Sequence, residues 1–337
     1  MSESFAIWYE PTVGNKELDV DLHVNLWKLP ESNTNILRKT FGRFVDFGIR
    51  TTEAQYIKSL FIGIPLKYDV SKEKKEYEKE NDENDIKLSD LGKVLCNNDK
   101  LLPALFNEDY EKRTNVQNPK FSAIHLTNNG DLQFHVCHID VKNDVTVKYC
   151  YGYKIFKIDV CATGSIQDCY FRFRLIGSSL TDMLSELEKP SNARLQSAFS
   201  IVEVIDFRVN EKRNITNNSL QFEMSKGIIN FKKFNFFFMC SSTEEISFFS
   251  HGPFKRCRTL EADLWKSYVN LSGNYIDTGK KNNLLVYQWS IKSRNSINAM
   301  IKTKFENNNW ATIILYVIIL GILTISFNLI TNLISTW

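Results

Sequence analysis

No GxxxxGK, GxGxxG, GxSxG or HExxH pattern occurs in the 337 residues. Phosphate-cradling loops, dinucleotide turns, nucleophile elbows and zincin helices are therefore not available to carry a function. The segment MSESFAIWYEPTVGNK has neither a basic n-region nor an apolar h-region, so it is not expected to act as a signal peptide. Net charge is only +3, too little to imply a nucleic-acid partner by itself. Nothing before residue 310 is apolar for long enough to span a bilayer. Regular βαβ alternation and internal repeats are absent as well. One further absence has a specific physical demand behind it: the last 28 residues, Trp310 to Trp337, hold no charged side chain.

That segment reads WATIILYVIILGILTISFNLITNLISTW. Its apolar part, Trp310 to Leu329, corresponds to roughly 30 Å of helix, about one bilayer core. A single transmembrane helix over 310–337 is the expectation. Gly321, Thr324, Asn328, Thr331 and Ser335 follow a three-then-four spacing, with Asn332 beside them, and so share one seam. An anchor that faces only lipid has no need of two asparagines, since an amide in hydrocarbon is costly unless something bonds it. The seam points to helices packed on one another in a homo-oligomer, or lining water. Thr331, Asn332 and Ser335 are equally explained as emerging at the far headgroups, which leaves Thr324 and Asn328 as the stronger pair. Lys292, Arg294, Lys302 and Lys304 precede the helix and no charge follows it, so the positive-inside rule puts the large N-terminal part in the cytoplasm. On that side the seven cysteines are expected as thiols.

The rest of the chain reads as an α+β or mainly β domain of largely antiparallel strands. Leu18 to Leu26 alternates without a break, with Leu18, Val20, Leu22, Val24 and Leu26 facing a core and His23 on the solvated face. Strands are also expected at Phe5–Glu10, Phe44–Ile49, Ser59–Tyr68, Val145–Tyr151, Lys154–Val160, Tyr170–Ile176, Ile201–Val209, Ile228–Met239 and Leu284–Ile291. Phe121–Thr127 and Leu132–Ile139 should form a hairpin around Asn129-Gly130. Helices are expected at Ile86–Asn97, Ser179–Glu188 and Thr259–Val269. The charged run Ser71–Asp85 reads as a solvated loop or frayed helix end. These elements divide the chain into a β-rich region 1–291, with a sub-boundary near 71–120, a juxtamembrane linker 292–309, and the helix. Ile297, Ile301 and Phe305, spaced by four, suit either an amphipathic turn on lipid headgroups or a plain linker.

Basic and aromatic residues interleave in several segments. In Tyr170-Phe-Arg172-Phe-Arg174 both arginines share a strand face with Tyr170. Lys232 and Lys233 sit inside a phenylalanine-rich run, and Arg256 and Arg258 follow Phe254. Stacking faces beside cations suit a nucleotide or single-stranded nucleic acid. A half-buried strand with its cations in water is the better explanation of any one of these segments, and it is their recurrence that raises the ligand reading. His135, Cys137 and His138 match no zinc spacing, so no metal or cofactor is expected. Asp140 with Lys142, and Asp206 near Glu211 and Lys212, are the faint carboxylate–lysine sets on which an enzyme reading would rest. The flanking Lys255, Arg256 and Arg258 would be expected to lower the pKa of Cys257.

In layout the chain resembles the membrane effectors of bacterial anti-phage defence systems, which pair a cytosolic sensor with one or a few transmembrane helices. The resemblance rests on architecture: a β-rich soluble part, the basic–aromatic segments and the helix seam. It implies a tail-anchored, oligomeric channel or pore controlled by a nucleotide or oligonucleotide, and no functional residue carries over from it. The rival is a tail-anchored scaffold or receptor that recruits a protein partner, with the helix as anchor only.

Overall fold

A computed structural model describes residues 3–14, 17–29, 42–66, 86–106, 110–113, 120–126, 133–160, 166–188, 200–270, 284–292, 295–306 and 310–335. Three sheets make up the β-rich part, and the fold is mainly β with a few short helices. The first small sheet orders β1 (Ala6–Pro11), β4 (Ile57–Pro65), β10 (Tyr153–Asp159) and β9 (Val145–Cys150). The second small sheet orders β12 (Ser185–Glu188), β13 (Ser200–Val209), β18 (Ile297–Glu306) and β15 (Glu245–Phe249).

The large sheet has ten strands. It runs from β16 (Arg256–Thr259) and β17 (Leu284–Lys292) through β14 (Ile229–Ser241), β2 (Leu18–Leu29), β3 (Gly42–Thr51) and β11 (Cys169–Ile176). It continues to β8 (Gln133–Cys137), β7 (Phe121–Leu126) and β6 (Tyr110–Arg113), while β5 (Lys87–Asp90) also pairs with β11. Most ladders are antiparallel, as expected; β14 with β2 and β11 with β8 are parallel.

The β2 alternation drives the layering. Leu18, Val20, Leu22, Val24 and Leu26 are buried in the main core with Phe47 of β3, Phe173 of β11, Phe207 of β13 and Phe5 of the N-terminal segment. This core joins the large sheet to both small ones. The opposite face of the large sheet packs a second cluster, in which Trp27, Phe44 and Tyr170 meet Leu95, Leu101, Trp265 and Tyr268. The last four come from the helices Gly92–Cys96, Leu101–Phe106 and Ala262–Asn270. Both faces of the central strands are therefore covered, and β11 is buried over almost its whole length.

Several expectations need correction. Residues 297–306 of the supposed linker form β18, hydrogen-bonded between β13 and β15, so the folded domain extends past 291. Ile297, Ala299, Ile301 and Thr303 are buried, which is a period of two. The four-residue spacing of Ile297 and Ile301 satisfies that period as well as a helical one. Instead of one helix over 86–97, β5 is followed by Gly92–Cys96, and the Asp90 carboxylate accepts from the Gly92 and Lys93 N–H groups at the turn between them. The helix near 179 ends at Leu184, because Ser185–Glu188 pairs along the edge of β13. Strands β5 and β6 belong to the large sheet, so the described part of 71–120 forms no separate unit. The run Ser71–Asp85 and the turn Asn129-Gly130 lie outside the described residues.

The C-terminal segment is helical over Trp310–Ser335, 26 residues, and all of its described side chains are exposed. Counting described side chains alone, no helix is long and apolar enough to cross a membrane. The longest unbroken described run of this one is 317–332.

Candidate functional site

Arg172 and Arg174 project from β11 on the same side as Tyr170, as the alternation requires, and that side is interior. Both are 0 % exposed, which overturns the picture of two arginines offered to a ligand in solution. Asp46 of β3, opposite Arg174 in register, accepts from Arg174 Nε at 2.6 Å and Nη2 at 3.1 Å. The same carboxylate accepts from Trp27 Nε1 at 2.8 Å and Tyr268 OH at 2.9 Å. Arg174 Nη1 donates to the carbonyls of Tyr268 and Val269 at 3.0 and 3.2 Å, in the last turn of the helix Ala262–Asn270. A cation at a helix C-terminus satisfies carbonyls that have no partner within the helix. Arg174 thus pins that helix to the sheet.

Arg172 is held less completely. Its Nε donates to Tyr268 OH at 3.1 Å and its Nη1 to Tyr170 OH at 3.4 Å. Its Nη2 stands 3.7 Å from Asp46 Oδ2 without a hydrogen bond. Two guanidinium groups therefore share one carboxylate, and the excess positive charge falls on the His23 side. His23, expected in water, is 7 % exposed. Burial, reinforced by Arg172, Lys233 and Arg50, pushes its imidazole down to about 3. Gly48, paired with both His23 and Arg172, lies directly under the Tyr170 hydroxyl, which would be 2.1 Å from an added Cβ.

The remaining basic residues are elsewhere. A β-bulge between Phe231 and Lys233 leaves Lys232 and Lys233 both exposed, while Phe231 and Phe234 enter the core. Lys232 Nζ pairs with Asp19 at 2.7 Å, and Lys233 lies opposite Lys292 on β17. Arg256 and Arg258 sit on the exposed edge strand β16, where Arg258 Nη2 donates to the Ala104 carbonyl at 2.8 Å. The six residues therefore do not converge. The carboxylates of the faint catalytic sets have local partners: Asp140 accepts from Lys142 N and Asn143 Nδ2, and Asp206 pairs with Arg208 at 2.7 Å. No group of three potential metal ligands occurs among the described residues.

Two features were not foreseen. Between the large sheet and the second small one lies a buried charge cluster. Lys28 Nζ is 2.8 Å from Glu203 Oε2 and also bonds Glu244, while Arg43 pairs with Glu203. Burial opposes ionisation of Glu203, but Arg43 and Lys28 outweigh it and hold the carboxyl below the usual range. Lys28 Nζ also stands 4.1 Å over the Phe305 ring on β18, which ends three residues from the C-terminal helix. Charges at the inward positions 28, 43 and 203 of otherwise apolar strands were the signal available in the sequence.

The second feature is a groove of about 570 Å3 beside the edge strand β15. Phe248, Phe249, Phe254, Tyr287 and Trp289 line it together with Glu244 and Glu245. Phe249 stacks on Trp289 at 4.1 Å, and Phe254 meets Tyr287 edge-on at 5.3 Å. Cys257 lines the groove, and burial pushes its thiol up, against the lowering expected from its basic neighbours. Burial likewise pushes the Tyr287 hydroxyl up to about 12.

On the C-terminal helix, Thr324 Oγ1 donates to Leu320 O at 2.8 Å and Thr331 Oγ1 to Phe327 O at 2.9 Å. Those hydroxyls are satisfied within their own helix. Gly321 has nothing near it, and Asn328 is exposed with no hydrogen-bond partner among the described residues. Asn332 is exposed too, and the Ser335 side chain lies outside the described set. No protein-family model matches the chain, and no curated protein does either.

Proposed function

We propose that this chain is a tail-anchored membrane effector, acting as a homo-oligomer in which the Trp310–Ser335 helix crosses the bilayer. A ligand bound to the β-rich domain on the cytoplasmic side would control a pore formed by the helices. The observation that carries the reading is the exposure of that helix. Twelve of its large apolar side chains, from Ile314 to Ile334, are 43–71 % exposed. Burying each is worth about 1.5–3 kcal/mol, so the whole helix forgoes tens of kcal/mol in water. At 1.5 Å per residue, 26 residues suffice for a core of about 30 Å, and the sequence holds no charge among them.

Lys28 and Phe305 supply a route from the domain to the helix, because any shift of Glu203 or Glu244 acts on β18 through them. For an anionic ligand such as a nucleotide, Lys232, Lys233, Arg256 and Arg258 remain as exposed contacts. Bacterial anti-phage defence is the setting that this layout suits. Membrane fractionation tests the anchor: the full chain should resist extraction by alkaline carbonate, and a chain ending at Glu306 should be released.

A scaffold with the helix as anchor only is the second reading, favoured by the self-satisfied hydroxyls of Thr324 and Thr331. Replacing residues 310–337 by an uninterrupted leucine span separates the two. A scaffold keeps its activity, whereas a pore loses it.

A further inference from the structure

We infer that the groove beside β15 is a binding site for a small organic cation of the alkylammonium class. Among the described residues, its lining includes two glutamates and five aromatic residues but no lysine, arginine or histidine. That is unexpected in a chain with 42 basic residues against 39 acidic ones. Aromatic faces carry negative charge in the ring quadrupole, and they attract weakly hydrated cations within about 6 Å of the centroid. Phe254, which meets Tyr287 and Trp289 edge-on, is 47 % exposed, so its ring is available without any rearrangement of the core. Trp289 and Phe249, stacked together and buried, form a rigid floor. Tyr287 stands beside Trp289 with ring centroids 6.1 Å apart and extends the aromatic wall.

The two carboxylates differ in commitment. Glu244 is buried and bonds Lys28 from the core side, so its charge is largely spent. Glu245 is exposed and opposes Lys304 in register on the neighbouring strand. An anionic phosphate here would meet Glu245, and no basic residue stands among the described lining residues to hold it. A bare metal ion would find only two carboxylates in a space many times its size. An ammonium wrapped in methyl groups matches aromatic faces and acids together, because its charge is diffuse and little hydrated. Such a ligand differs in sign and place from the anion expected at the exposed lysines and arginines, and its binding does not depend on the membrane reading.

Tetramethylammonium is the probe, and saturation-transfer NMR on the full-length protein in detergent is the measurement. Saturable transfer is expected, with a dissociation constant on the order of millimolar, about 4 kcal/mol. Phe254→Ala should weaken binding about tenfold and Glu245→Gln about threefold, since both side chains are exposed and the fold does not depend on them. Neopentyl alcohol, the neutral molecule of similar shape, should not compete, and inorganic phosphate should not bind. Absence of saturable transfer in the parent protein overturns the inference. So does competition by the alcohol at equal concentration, or unchanged affinity in both variants.

Discussion

Asp46 is the residue on which the helix-covered face of the large sheet depends. Its carboxylate receives Arg174, Trp27 and Tyr268 and lies nearest the remaining charge of Arg172. Asp46→Asn leaves two guanidinium groups buried without a counter-charge, and breaking a buried pair from one side costs about 3–5 kcal/mol. A denaturant melt should show that loss, with near-UV signals of Trp27 and Tyr268 altered first. His23 gives a pH dependence from the same region. Its folded pKa of about 3 lies below the unfolded value of 6.5. The unfolded chain therefore binds a proton below about pH 6.5 that the folded one refuses, and stability falls as pH falls through that window. The slope is at most one proton, about 1.4 kcal/mol per pH unit. Melts at pH 7.5 and pH 5 should differ less in His23→Gln than in the parent protein; an unchanged difference would count against the buried neutral imidazole.

At the scale of elements, β18 decides where the folded domain stops. It is the inner strand of the second small sheet, between β13 and β15, and it buries Ile297, Ala299 and Ile301 in the main core. A chain truncated after Lys292 should lose that sheet and aggregate, while one ending at Glu306 should give a cooperative thermal transition. Circular dichroism and gel filtration distinguish the two outcomes. The sequence made most strands legible: the alternating Leu18 to Leu26 of β2 are all buried as read, although the helices on the other face bury His23 and Asn25 as well. β18 escaped because isoleucines four apart fit two periods at once. β12 escaped because pairing along β13 outweighs a helix-like pattern, and β5 because it is only four residues long. The candidate site was less legible for a related reason. Alternation put Arg172 and Arg174 on one face, yet nothing local says that a helix from residues 262–270 will cover it. The aromatic groove joins β15, β16 and β17, whose meeting is fixed by topology rather than by any local motif.

For the whole molecule the open matter is how helices of several copies would meet. Thr324 and Thr331 donate to their own helix, so neither needs a neighbour. Asn328 is different: it still falls within the apolar stretch Trp310–Leu329, next to its end, and its amide has two donors and an acceptor to satisfy. In hydrocarbon an amide with no partner is costly, and one bond to a neighbouring helix contributes about 1 kcal/mol per contact. In the proposed homo-oligomer, Asn328 would recur around one axis, where the amides would bond each other or line water. Asn328→Leu removes that demand while making the helix more apolar, so insertion should be unimpaired or improved. Conductance in planar bilayers should fall at least tenfold, and cross-linked oligomers should become fewer. Thr324→Val, which removes only a self-satisfied hydroxyl, should leave both nearly unchanged. If Asn328→Leu conducts like the parent protein, the helix is an anchor alone and whatever the β-rich domain senses is passed to a partner instead.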